Sequence, residues 1–251
     1  MGNIKSVETS QLSELISKYS PYLTEIKKRI FFTLSVFAVA SLFGFIFYER
    51  IIKFLIDLLS LKGVNIVFTS PFQFISLAIS CGVASGLVFV FPVLIYQILS
   101  FLRPALKDME YKMLVGFLPF SIALFLIGFS FGVLIMKWQI QLFLESSQSI
   151  GIGNILDINR LISTVLLVCV LMGIAFQFPI IILLLTRIGI IKRRNLSKQR
   201  PWVYLGSIIF TIFLPLDSIL VDILLALPLV LLFELTLILD RIFEKRRGVH
   251  A

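Results

Sequence analysis

Leu161-Ile-Ser-Thr-Val-Leu-Leu-Val-Cys-Val-Leu-Met-Gly-Ile-Ala-Phe-Gln-Phe-Pro-Ile-Ile-Ile-Leu-Leu-Leu185 runs for 25 residues without one Asp, Glu, Lys, Arg or His. A helix rises about 1.5 Å per residue, so this stretch is long enough to cross the roughly 30 Å hydrocarbon core of a bilayer. The rest of the chain has the same character. Of its 251 residues, 59% are hydrophobic and only 15% charged, where soluble domains average about 45–50% and 25%. Mean hydropathy is +1.03. A soluble core of this size cannot hide so much apolar surface, because surface-to-volume geometry leaves too many residues outside. The solvent for much of the chain is lipid.

Five further apolar runs flank that stretch. Ile30 to Phe47 is followed by the interfacial cluster Tyr48, Glu49, Arg50 and Lys53. A second run opens at Ser70-Pro71-Phe72-Gln73, which reads as a capping box with Ser70 as N-cap, and extends to Phe101 with Pro92 inside it. Its length implies a tilted or kinked helix. The third covers Met113 to Met136 and closes at Lys137 and Trp138. Trp202 to Leu214 and Ser218 to Leu239 follow the quoted stretch, separated only by Pro215-Leu216-Asp217. These last two are short or broken and predict a hairpin in a locally thinned bilayer. The expected fold is all-α and polytopic, with six transmembrane helices in a single domain spanning 1–251. A segment of about 1–29 and a tail of about 240–251 lie outside the lipid.

The basic residues set the orientation. Eighteen of the 23 Lys and Arg fall before the first run, from Arg103 to Lys112, from Arg187 to Arg200, and from Arg241 onward. Only Arg50, Lys53, Lys62, Lys137 and Arg160 fall on the other side. The positive-inside rule then places both termini in the cytoplasm, as an even span count also requires. The formal net charge of +9 is thus topogenic, and no nucleic-acid partner is expected. The polar N-terminal segment lacks the basic n-region, apolar h-region and cleavage site of a cleavable signal peptide.

Chemistry-bearing motifs are few. No GxxxxGK[ST] loop, HExxH or GxSxG occurs. His250 is the single histidine, so histidine catalysis and His-ligated metals are excluded. Cys81 and Cys169 lie in apolar runs and read as small buried hydrophobes. No enzyme, metal or cofactor is expected. Gly82-Val-Ala-Ser-Gly86 and Gly128-Phe-Ser-Phe-Gly132 allow close helix approach.

What remains is a sparse set of polar groups at or within the membrane, where an ionisable residue is costly. Glu25 precedes the first span, with a salt bridge to Arg29 or Lys28 as its plain reading. Glu110 reads as a carboxylate near the third helix's N-terminus. Gln177 stands before Phe178-Pro179, where its amide could bond a carbonyl freed by the proline. Asp217 reads as a cap of the last helix. Asp222 and Glu234 lie within that helix, Glu234 among apolar neighbours. A secondary transporter or channel using Asp222, Glu234 and Gln177 as a polar path is the alternative reading, although the paired halves that would favour it are not evident.

Taken in order, these fragments resemble the TatC family, the multi-spanning subunit of the twin-arginine protein translocase. Tyr22-Leu-Thr-Glu25-Ile-Lys-Lys-Arg29-Ile is similar to the family's H-L-x-E-L-R-x-R-L opening, with Tyr22 and Lys27 as departures. Ser70-Pro71-Phe72, Phe91-Pro92 through Tyr96-Gln97-Ile98, and Phe101-Leu-Arg-Pro104-Ala105-Leu106 with Glu110 follow. Phe176-Gln177-Phe-Pro179, Lys198-Gln-Arg200-Pro201 and Leu214-Pro215-Leu216-Asp217 complete the set. The resemblance implies a receptor for twin-arginine signal peptides of folded proteins, with Glu25, Glu110, Arg29, Phe101 and Pro104 at the binding site. It implies a docking surface for single-span TatA/TatB-type subunits involving Gln177, Asp217 and Glu234, homo-oligomers within a complex, and a proton-gradient drive. The expected location is a bacterial inner membrane, with the thylakoid or mitochondrial inner membrane as alternatives.

Overall fold

The computed structural model of the chain describes residues 2–61, 64–103, 115–116, 118–149, 155–187, 198–216 and 218–247. Among the described residues the regular structure is helical apart from one short strand pair. In chain order the helices are α1 (Gly2–Ile46), α2 (Tyr48–Leu58), α3 (Gln73–Leu102) and α4 (Leu118–Ser149), then α5 (Ile158–Ala175), α6 (Phe178–Arg187), α7 (Arg200–Ile212) and α8 (Ile219–Arg247). Strands β1 (Asn65–Val67) and β2 (Ile155–Asp157) pair in parallel, with Ile66 opposite Leu156.

Among the described residues, five helical stretches are long and apolar enough to span a bilayer: Thr24–Ile46, Gln73–Phe101, Leu118–Ser147, Ile158–Thr186 and Ile219–Ile238. The sixth expected span is α7, whose 13 residues reach only about 20 Å at the helical rise. Brevity is thus confined to α7, since α8 has 29 residues and continues past its apolar part into Arg241–Arg247. The third span also runs further than its sequence suggested, with Lys137 and Trp138 inside α4.

Packing follows the small residues. A methyl group at Gly82 would sit 2.8 Å from the Ser41 carbonyl oxygen, and Gly44 and Gly86 face Ser85 and Ser41 as closely, so α1 and α3 touch nearly backbone to backbone. Gly128 and Gly132 play the same part between α4 and α5, where added methyls would meet the Met172 carbonyl oxygen at 2.7 Å and the Cys169 Cα at 2.9 Å. Both GxxxG motifs are therefore helix-packing seams. The main core gathers around Ile162, Val165, Val168, Cys169 and Met172 of α5, all fully buried, together with Leu77 and Cys81 of α3 and Leu225 of α8. By contrast α1 turns Phe31, Phe32, Leu34 and Leu42 outward, as lipid-facing residues do.

One end of the bundle is held by polar contacts. The Thr69 hydroxyl donates to Asp157 Oδ2 at 2.5 Å, Gln73 Nε2 donates to the same oxygen at 2.8 Å, and the Arg160 N–H donates to Asp157 Oδ1 at 3.1 Å. Asp157 is the N-cap of α5. Here the structure departs from the expected capping box. The helix α3 starts at Gln73 after Phe72, with no side-chain cap, and Gln73 Oε1 accepts the Thr69 N–H. The Asp157 carboxylate draws the glutamine amide towards β2, so Ser70 and Pro71 form the preceding turn instead.

The Thr69 hydroxyl, followed by the Arg160 N–H, holds the Asp157 carboxyl below the usual carboxylate range. A depressed folded-state value stabilises at pH above the unfolded value and is lost as pH falls through the folded one. Melting curves across acidic pH should therefore show a loss of stability in wild type that Asp157→Asn largely removes. Identical pH dependence in the two proteins would rule out this role for Asp157.

Candidate functional site

At the opposite end of the bundle the basic residues collect. Arg29 on α1 donates from Nε and Nη2 to Glu25 Oε1 at 3.2 and 2.5 Å, one helical turn away. Its Nη1 donates to the Gln97 carbonyl oxygen on α3 at 2.9 Å. The guanidinium also lies 5.8 Å from the centre of the Phe101 ring, within cation–π range. Arg29 is thus gripped on three sides, and it orients Glu25, whose side chain stays 48% exposed. The plain reading of an i,i+4 pair is correct. What the pair adds is a carboxylate fixed at the seam between α1 and α3.

Three residues expected to act with Glu25 or on the docking surface cannot be placed. Pro104, Glu110 and Asp217 lie outside the described residues. Among the expected binding residues, Glu25, Arg29 and Phe101 come together, and Gln97 is an addition. Nothing in the sequence marked the Gln97 backbone carbonyl, because only packing of α3 against α1 brings it to Arg29.

Gln177 sits at the break between α5 and α6, where Pro179 prevents the helix from continuing unchanged. Its Oε1 accepts from the Ser121 hydroxyl at 2.6 Å and its Nε2 donates to the Ser121 carbonyl oxygen at 3.0 Å. Both residues are essentially inaccessible. The amide therefore closes the α4–α5 contact instead of bonding a proline-freed carbonyl, and another chain could reach it only by displacing Ser121. Interhelical hydrogen bonds in membranes are worth about 1 kcal/mol. Gln177→Met should accordingly lower the stability by about 1 kcal/mol, read as a modest drop in melting midpoint. A drop several times larger would show that Gln177 does more than this.

Glu234 is not solitary either. Arg200 Nη2 donates to its Oε2 at 3.0 Å, and the Tyr204 hydroxyl donates to its Oε1. Arg200 and Tyr204 are one turn apart on α7, so a single helix face clamps the carboxylate of α8. The sequence offered the i,i+4 spacing of Arg200 and Tyr204 as a signal, but not the partner. Asp222 Oδ1 is buried without a hydrogen-bond partner among the described residues.

Fold and site together define a polytopic α-helical membrane protein in which polar groups bond across helix contacts, with a carboxylate presented at its basic end. Residues 21–228 match a family model described as TatC, Sec-independent protein translocase protein. The chain is 27% identical to the Sec-independent protein translocase protein TatCy of Bacillus subtilis over 88% of this chain and 87% of that one. It is also 27% identical to the TatC of Aquifex aeolicus over 90% and 95% of the two chains. A crystal structure of the twin arginine translocase receptor TatC in DDM is similar with a TM-score of 0.77 at 26% identity, covering 86% of this chain and 98% of that one.

The chain belongs to the TatC family. It is a multi-pass subunit of a Sec-independent protein translocase in the bacterial cell membrane, works in a complex with other Tat subunits, and is not an enzyme. The transporter alternative is thereby set aside. In keeping with this, Gln177 and Glu234 bond to different partners on different helices.

Proposed function

We propose that this single-domain chain is the receptor of its translocase, gripping the paired arginines of a signal peptide with Glu25 and Glu110. The observation that carries the proposal is the Glu25 carboxylate, held half-exposed at the basic end by an arginine that is itself anchored to Gln97 and Phe101. A guanidinium is a planar fork that matches carboxylates bidentately, and an ammonium is not. Glu25 already binds one guanidinium from its own chain, which supports the reading. A carboxylate has about four acceptor positions, so Arg29 can orient it while a substrate arginine binds. Phe101, with Pro104 following it, supplies the apolar wall.

Glu234 and its neighbours on α7 and α8 serve the docking of single-span TatA/TatB-type subunits, with several copies of the chain in the complex. The transmembrane proton gradient drives export, as the family resemblance implies. Photo-crosslinking with purified protein in nanodiscs tests the reading. An RR-bearing peptide should crosslink near Glu25 at least about tenfold more than its KK version, the effect of one charge-assisted bond. Equal crosslinking of both peptides, or of neither, defeats the proposal.

A further inference from the structure

One apolar stripe is enough to dock a surface helix on a core. The helix α2 has two. Tyr48, Ile52, Leu55 and Leu59 recur at steps of three and four residues, and Ile52, Leu55 and Leu59 are buried in the main core. Glu49, Arg50, Lys53 and Asp57 recur on the far side and are exposed. Between these faces runs a third, formed by Phe47, the residue that opens the helix, with Ile51, Phe54 and Leu58. Phe54 is 64% exposed, and Phe47 and Leu58 are exposed beside it.

The height of α2 says what meets this second stripe. Gly44 of α1 stands against Cys81 and Ser85 of α3, and Gly82 and Gly86 stand against Ser41, so the two helices run antiparallel in close contact. From that level α3 continues for eight to twelve residues to its start at Gln73, whereas α1 stops two residues on, at Ile46. At about 1.5 Å per residue α1 therefore ends roughly 10 Å short of α3. Along the remaining stretch α3 turns Phe74, Ile75 and Ile79 outward, inside a segment apolar enough to cross a bilayer. The helix α2 thus starts within the apolar layer.

The surface beneath it agrees. A groove of about 690 Å³ runs between α1 and α3, where Val39 and Phe43 face Ser85 and Phe89, and it reaches Phe47 and Ile51. Its walls belong to two candidate spans, so the stripe of α2 prolongs a surface that acyl chains cover. The Arg50 guanidinium lies 5.3 Å from the centre of the Phe47 ring, as a cation does when its stem lies along an apolar surface and its head seeks the headgroups.

We propose that α2 is a membrane-interface helix, with Phe47, Ile51, Phe54 and Leu58 seated among the acyl chains of the leaflet opposite the basic end. Its partner is a lipid surface, because the stripe is continuous with lipid-facing walls and is flanked by charges that a headgroup layer solvates. The helix fills the depth that α1 leaves beside α3, with Glu49 and Lys53 kept towards water. Nothing in this depends on signal-peptide binding or on which leaflet faces the cytoplasm.

The test places a nitroxide label at single positions of full-length protein in phosphatidylcholine–phosphatidylglycerol nanodiscs. Collision with oxygen, which concentrates among acyl chains, is compared with collision with a water-soluble nickel chelate. Cys81 and Cys169 are fully buried, and unsubstituted protein controls for their labelling. Labels on Phe54→Cys and Leu58→Cys should favour oxygen, while labels on Glu49→Cys and Lys53→Cys, a few residues away, should favour nickel. All four positions are exposed, and thermal melts that match wild type show that the fold is kept. Nickel-dominated collision at 54 and 58 overturns the proposal by placing the stripe in water. Weak collision with both reagents there, with spectral broadening between labelled copies, would assign the stripe to a second chain and overturn it as well.

Discussion

Glu25→Gln is expected to weaken binding of a twin-arginine signal peptide by about 10- to 100-fold, while a KK peptide, already weak, changes little. The substitution keeps the size and one acceptor oxygen but removes the charge. Hydrogen bonds to charged groups contribute about 1.5–3 kcal/mol, and each 1.4 kcal/mol is tenfold in affinity. Folding should hardly respond, because exposed ion pairs are worth about 0–1 kcal/mol and the Glu25 side chain is 48% exposed. Arg29→Gln separates a binding carboxylate from a merely structural pair. If the pair served only to brace α1, losing either partner would have the same small effect. On the receptor reading the Arg29 variant loses orientation, through Gln97 and Phe101, and binding falls only a few-fold. Fluorescence anisotropy of a labelled peptide with protein in nanodiscs measures both. A Glu25→Gln protein that still prefers RR over KK as wild type does would remove Glu25 from the site.

The second large effect is structural. Gly132→Leu should prevent the protein from accumulating in the membrane or lower its melting midpoint severely, and Gly128→Leu should do the same. A side chain at Gly132 meets the Cys169 backbone at 2.9 Å, and one at Gly128 meets the Met172 carbonyl oxygen at 2.7 Å. Backbone cannot swing aside as a flexible side chain can, so α4 and α5 must separate. Overpacking in a tight core costs about 1–3 kcal/mol and more where the neighbours cannot give. This seam adjoins the core around Val165, Cys169 and Met172 and the Gln177–Ser121 bonds, so a wedge there loosens both. Gly206→Leu is the internal control, being the same substitution on a membrane helix where nothing lies within 4 Å. The comparison is made by steady-state membrane levels and thermal melts of the three variants. Equal behaviour of Gly132→Leu and Gly206→Leu would refute the packing argument.

The spans were legible because lipid imposes a simple demand. A crossing segment must be long, apolar and internally hydrogen-bonded, and these are properties of composition along a line. Leu161–Leu185 announces itself for that reason, although its helix breaks at Phe176–Gln177 before Pro179. Boundaries were less legible. Gln73 has the spacing of the third residue of a capping box, yet it bridges Thr69 and Asp157. Lys137 and Trp138 looked like a terminus, yet α4 continues to Ser149, because a helix does not stop where the lipid does.

What the sequence determined by itself was the solvent, the order of the apolar runs and the family, since each depends on residue type and spacing along the chain. Only the tertiary structure decided which polar groups meet. Gln97 reaches Arg29 across 68 residues, Ser121 reaches Gln177 across 56, and Arg200 reaches Glu234 across 34. Local periodicity cannot encode such pairings. They arise when glycines and serines let particular helices approach at particular heights, and a buried polar group then bonds to whatever that approach has placed beside it.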